Sequence, residues 1–267
     1  MMDRVLAWLG RALAGYLSKP RRLGAQFATS APEKLAEALE PGDIVLIEGN
    51  TRVSVVIKYL TQSTWSHSAL YVGDALGVPT PGEEPKVFIE ADLREGVRAV
   101  PLSDYAGFHT RICRPVGLSP EDVRTMIEFA LSRIGNSYDL KNVFDLARYL
   151  LPTPPVPSRW RRRMLRLGSG DPTRAICSTL IAQAYESVRY PILPLYVPRR
   201  LGKHAKDAHE ELLRIRPHSL FAPRDFDISP YFAVVKPTLV HGFDYRTLHW
   251  AEDAARSVDG NNVTERG

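Results

Sequence analysis

Five short apolar runs crowd into residues 42–115, and the strongest helix signals come after residue 118. This order constrains the fold more than any other feature of the chain. GDIVLIEG (42–49) alternates and is rich in Ile and Val, HSALYVG (67–73) stops at Gly73, and KVFIEA (86–91), GVRAV (96–100) and HTRICRP (109–115) follow closely. Short runs separated by Gly- and Pro-rich loops such as DALGVPTPGEEP read as strands of an antiparallel meander. Residues 52–61 read as a helix between the first two strands. SPEDVRTMIEFALSRIG then carries a Ser119 cap, Pro120 in the first turn, early acids and Gly135 as a stop, a full set of helix boundaries. Further helices are expected over 139–151, ahead of the TPPVP breaker, and from about Ser178 to Val188. LLRIRP (212–217) and FAVVKP (232–237) read as closing strands. Strands first and helices after imply an α+β fold: a barrel-like antiparallel sheet of about five to six strands, packed against helices. The expected organisation is an N-terminal helix and connector (1–40), one main domain (41–240) and a polar extension (241–267).

Composition excludes several classes. The chain has 267 residues, a net charge of +5, 44% hydrophobic and 24% charged residues. A disordered chain, a collagen and a disulfide scaffold are thereby ruled out. The basic charge gathers in RWRRRMLR (159–166) and RRLGKHAK (199–206). The plain reading is solvated faces; the sharper one is contact with anionic lipid. No nucleic-acid recognition pattern accompanies these runs, so no nucleic acid is expected as partner. Residues 1–18 place Val5, Leu9, Leu13 and Leu17 four apart, with Arg4 and Arg11 interrupting. Such a segment is too short and too charged to span a membrane. It also lacks the unbroken apolar core of a secretory signal. It reads as an amphipathic helix that either packs on the domain or docks at a membrane surface. The expected location is cytoplasmic, with peripheral contact on the inner membrane face through residues 1–18 and 159–166 as the sharper alternative.

The two cysteines, Cys113 and Cys177, fit a reducing compartment. Cys113 lies in the apolar run TRICRP and reads as a core thiol. Cys177 stands where the loop DPTRAI hands over to the helix CSTLIAQAYE. A thiol there feels the positive end of the helix dipole and faces unpaired N–H groups, which favours the nucleophilic thiolate. Taken by its position alone, a buried helix cysteine is the competing reading. His67 opens the second strand after Ser66, where an imidazole can face a thiol across a cleft. Glu90 ends the apolar run VFIE, where a carboxylate is costly without a partner. If strands 67–72 and 86–91 pair, Glu90 can orient His67, completing nucleophile, base and orienting residue. Ser178 lacks the G-x-S-x-G elbow of a serine nucleophile. His204, His209 and His218 fit no common metal spacing, and no metal or cofactor is expected.

The succession PGDIVLIEG, TQSTWSHSALYVGD, VFIEADLREGV, IGNSYDL and ICSTLIAQAYE resembles the circularly permuted papain-like cysteine hydrolases. These form the permuted branch of the NlpC-type peptidase superfamily, which includes the lecithin retinol acyltransferase relatives. The resemblance spans roughly residues 41–237. It implies Cys177 as nucleophile, His67 as general base and Glu90 as the third polar member. It also implies Tyr138 lining the substrate pocket and assisting the oxyanion; Ser66 and Ser178, next to His67 and Cys177, are expected as further substrate-binding residues. Asp43 matches the PGD turn in what reads as a structural role. The implied activity is a thiol hydrolase or acyltransferase acting on an amide, ester or thioester through an acyl-cysteine. A non-catalytic lipid-associated protein retaining the cleft and a cell-wall peptide endopeptidase are the alternatives. The substrate is expected to be a small-molecule, peptide or lipid acyl compound; the oligomeric state is left open.

Overall fold

The computed structural model describes residues 12, 15–20, 28, 30–136, 176–200, 209–214, 221–240, 244 and 246. Tyr138, the expected helix over 139–151, the basic run 159–166, His204 and His218 lie outside the described residues.

The first strand explains the sheet. β1 (Ile44–Ile47) reads IVLI and is buried along its whole length, as a strand covered on both faces must be. It is also flanked on both edges. β2 (His67–Tyr71) pairs antiparallel with one side and β5 (Thr110–Pro115) with the other. β3 (Lys86–Asp92) and β4 (Gly96–Pro101) continue beyond β2, and β8 (Phe232–Val235) pairs with β5. The order is β4-β3-β2-β1-β5-β8. The expected meander therefore holds only through β4, after which the chain returns to the free edge of β1. The sheet is open, with β4 and β8 at its ends, so the barrel-like expectation is corrected to an open six-stranded α+β sheet.

Side-chain alternation splits the core into two layers. On one face Ile44, Leu46, Leu70, Ile89 and Cys113 join Met126 and Ala130 of α3 (Pro120–Leu131) and Leu180, Ile181 and Tyr185 of α4 (Ile176–Ser187). α4 is buried along most of its length, which suits a helix enclosed by sheet and neighbouring helix. On the other face Val45, Ile47, Ala69 and Phe88 meet Tyr105 and the short helix α1 (Pro32–Ala38). α2 (Arg52–Thr61) bridges β1 and β2, capped by Thr51 accepting from Ser54 N–H. α3 starts with the full reciprocal box of Ser119 and Asp122. It ends at Leu131, earlier than expected; Gly135, at φ +86, then donates its N–H to Val97 O along the edge of β4.

β6 (Leu195–Arg200) and β7 (His209–Arg214) form a separate antiparallel ribbon. The expected strand at 212–217 thus starts earlier and is partnered by a strand that sequence reading left out. α5 (Pro223–Asp227) and α6 (Pro237–Val240) complete the described elements. The end of the N-terminal segment is built in as well. Leu17 is fully buried in the main core, Tyr16 covers the Arg52 guanidinium at 3.9 Å, and Pro20 bridges Thr51. No described helix is long and apolar enough to cross a membrane.

Candidate active site

His67 is fixed from both directions along the chain. Before it, Trp65 is buried and donates its indole N–H to Asp227 Oδ2 at 3.0 Å. Ser66 donates its N–H to Ile47 O at 3.1 Å and accepts Gly49 N–H at 2.9 Å on Oγ. Gly49 lets the backbone pass close by: a Cβ there would stand 2.3 Å from Ser54 Oγ and force that side chain to shift. After His67, the β2 ladder begins. Continuing the Leu70↔Ile89 register places Glu90 opposite Ala69, diagonal to His67 on the same face, within reach of long side chains. The contact is made: His67 Nε2 hydrogen-bonds Glu90 Oε2.

Two residues that sequence reasoning missed complete this arrangement. Arg98 faces Glu90 directly across the β3–β4 pair and binds Oε1 through Nε at 2.7 Å and Nη2 at 2.6 Å. Tyr105, in the 3-10 turn Leu102–Tyr105, donates its hydroxyl to Oε2. The pairing of positions 90 and 98 follows from the register of β3 against β4, so Arg98 carries no mark in the sequence. Tyr105 carries none either.

Cys177 is the second residue of α4 and is buried at 4% exposure. His67 has a second side-chain interaction besides Glu90, with the Cys177 thiol. Burial, the largest influence, pushes the thiol up, but the charge and hydrogen bond of His67 and the Ser68 side chain and N–H bring it below its ordinary value. His67 moves the other way. Burial alone would lower it, yet Glu90 and Cys177 hold it well above the ordinary imidazole value. Glu90 is held down to about 2: burial opposes, but His67, Tyr105 and Arg98 prevail. The site therefore favours a thiolate facing an imidazolium. Cys113 contrasts with it, since burial and the nearby Asp227 push its thiol up to about 12.

His67, Glu90 and Cys177, together with Arg98, Tyr105 and Ser66, line one cavity of about 320 Å³. Ile47, Val53, Ile57, Leu93 and Phe108 give it an apolar wall, and Ser18 of the N-terminal segment borders it. Ser178 is not among its lining residues; it is fully buried, with Oγ 3.4 Å from Ser68 Oγ. Asp43 is also outside the cavity, gripped by Arg114 through Nε–Oδ1 at 2.9 Å and Nη2–Oδ2 at 2.7 Å, which ties β1 to β5. Among the described residues no group of three or more His, Cys, Asp or Glu is placed to hold a metal ion.

The model of one family, described as permuted papain-like amidase enzyme, YaeF/YiiX, C92 family, matches residues 38–149. The matched stretch contains His67 and Glu90 and ends before Cys177. No curated protein matches the chain. Among solved structures, the metalloprotein yiiX from Escherichia coli O157:H7 is similar at 17% identity and a TM-score of 0.41, covering 74% of this chain and 97% of that one. The family match supports a hydrolase activity of the cysteine type. Residues 38–149 thus match the permuted papain-like amidases, and in the open α+β sheet the histidine strand precedes the cysteine helix, the order that a permuted papain-like arrangement has.

Proposed function

We propose that the protein cleaves an amide, ester or thioester through an acyl-cysteine intermediate. The observation that carries this reading is the convergence of Cys177, His67 and Glu90, from a helix start and two strands, on one cavity. In this mechanism the Cys177 thiolate attacks the carbonyl carbon. N–H groups at the start of α4 stand ready to receive the developing oxyanion. The His67 imidazolium gives its proton to the leaving group as the C–N, C–O or C–S bond breaks. A water or another acceptor, deprotonated by His67, then attacks the acyl-cysteine and regenerates the thiol. Water makes the reaction a hydrolysis, and an alcohol or amine makes it a transfer. Glu90 keeps the ring oriented, as the third member of such a set does.

The test is turnover of a panel of small amides, esters and thioesters by the full-length protein. Release of product with an initial burst, abolished in Cys177→Ala, is expected. Turnover that survives in Cys177→Ala would refute the reading.

A further inference from the structure

Both oxygens of Glu90 are engaged. Oε1 accepts Arg98 Nε, with Nη2 in ion-pair contact, and Oε2 accepts His67 Nε2 and the Tyr105 hydroxyl. The side chain is only 5% exposed. Glu90 is therefore committed to these groups rather than to water or substrate. It can act only through the groups that hold it, and Arg98 carries the one fixed positive charge among them.

That charge matters because of what lies around it. Glu90 faces His67 on β2, Arg98 on β4, and Tyr105 and Asp104 on the following turn. His67 faces Glu90 and, from α4, Cys177. Arg98 is held on its outer side by Glu95, Nη1 to Oε2 at 3.0 Å, with Asp92 nearby. Without Arg98, Glu90 would stand beside His67 with Asp104 near it and no fixed cation among these groups. Two outcomes are then open to Glu90, and both act against the thiolate. If Glu90 stays ionised, its uncompensated negative charge repels the sulfur anion. If it takes up a proton, the imidazolium loses its counter-charge and attracts the thiolate less.

We propose that Arg98 is a positioning residue of the active site: it neutralises and orients Glu90, and through Glu90 and His67 keeps Cys177 as a thiolate. The role rests on the cysteine-hydrolase reading given above. It assigns the β4 strand a part in the chemistry that the nucleophile, base and orienting residue alone do not include. It also requires the two-pronged grip of a guanidinium, since a lysine ammonium is a point charge that cannot bind one oxygen through two nitrogens in a fixed plane.

The experiment is the rate of Cys177 alkylation by iodoacetamide against pH, followed by mass spectrometry on full-length protein, for wild type, Arg98→Gln, Arg98→Lys and the exposed-site control Tyr59→Phe. Wild type should react at Cys177 well below the pH at which ordinary thiols react. Arg98→Gln should move the midpoint upward and slow alkylation at pH 6 by roughly threefold to tenfold. Arg98→Lys should restore part of the shift, and Tyr59→Phe should follow wild type. An unmoved midpoint in Arg98→Gln overturns the role of Arg98 while leaving the hydrolase reading intact. Should Arg98→Gln fail to fold, Arg98→Lys decides: a midpoint identical to wild type overturns the role. A wild-type midpoint in the ordinary thiol range overturns both.

Discussion

Glu90 sets the electrostatics of the site, and its state should be visible in stability as well as reactivity. Its carboxyl is held down to about 2 from an ordinary 4.5. A depressed acid stabilises the fold above its unfolded value, and that contribution is lost as pH falls through the folded one. Between pH 4.5 and 2 the protein should therefore lose on the order of 3 kcal/mol from this one group. Chemical denaturation at pH 6, 4 and 3 should show a shallower decline in Glu90→Gln than in wild type. His67→Ala should cut turnover by about 10²–10⁴-fold, the usual worth of a positioned acid–base group. His67, Glu90 and Cys177 were legible because each breaks its local pattern: an imidazole opening a strand, a carboxylate closing an apolar one, a thiol at a helix start. Arg98 and Tyr105 were not. An arginine in a strand and a tyrosine in a turn are ordinary until the register of β3 against β4 brings them to Glu90.

Local boundaries were readable where the signals are local. The Ser119 box and Pro120 mark the start of α3, and Thr51 caps α2. Ser119→Ala should cost about 1 kcal/mol in thermal or urea unfolding. What could not be read was which strands lie side by side. IVLI was legible as a strand, but that it is buried along its whole length, and that β5 rather than β3 fills its second edge, follows from long-range pairing. The β6–β7 ribbon was hidden because Arg199 and Arg200 open the run 199–206, which read as a solvated face. At the N-terminus two readings were open, and the end of the segment packs: Leu17 is fully buried against the core and Ser18 borders the cavity. Leu17→Ala should accordingly destabilise by about 2–5 kcal/mol, as a buried leucine does. A loss under a few tenths would show that this segment is not part of the folded unit.

At the scale of the whole molecule, the site exists because the sheet separates two layers and the histidine lies at a strand end where they meet. Glu90, Arg98 and Tyr105 approach from the layer that holds Phe88 and α1, while Cys177 arrives on α4 from the opposite layer. Cys177 and His67 are thus far apart in sequence and belong to different layers of the core, so either can be lost without dismantling the other's layer. Cys177→Ser should keep wild-type stability within about 1 kcal/mol, as a near-isosteric change away from strain permits, while abolishing acyl transfer to the protein. The two cysteines also provide an internal control, one held low by His67 and one pushed up to about 12 by burial. The most direct test is to treat the full-length protein with a thiol-directed acyl probe near neutral pH and map the adduct by peptide mass spectrometry. Modification of Cys177, none of Cys113, and loss of the adduct in His67→Ala are expected; equal modification of both cysteines, or an adduct unaffected by His67→Ala, would rule out Cys177 as a nucleophile activated by His67.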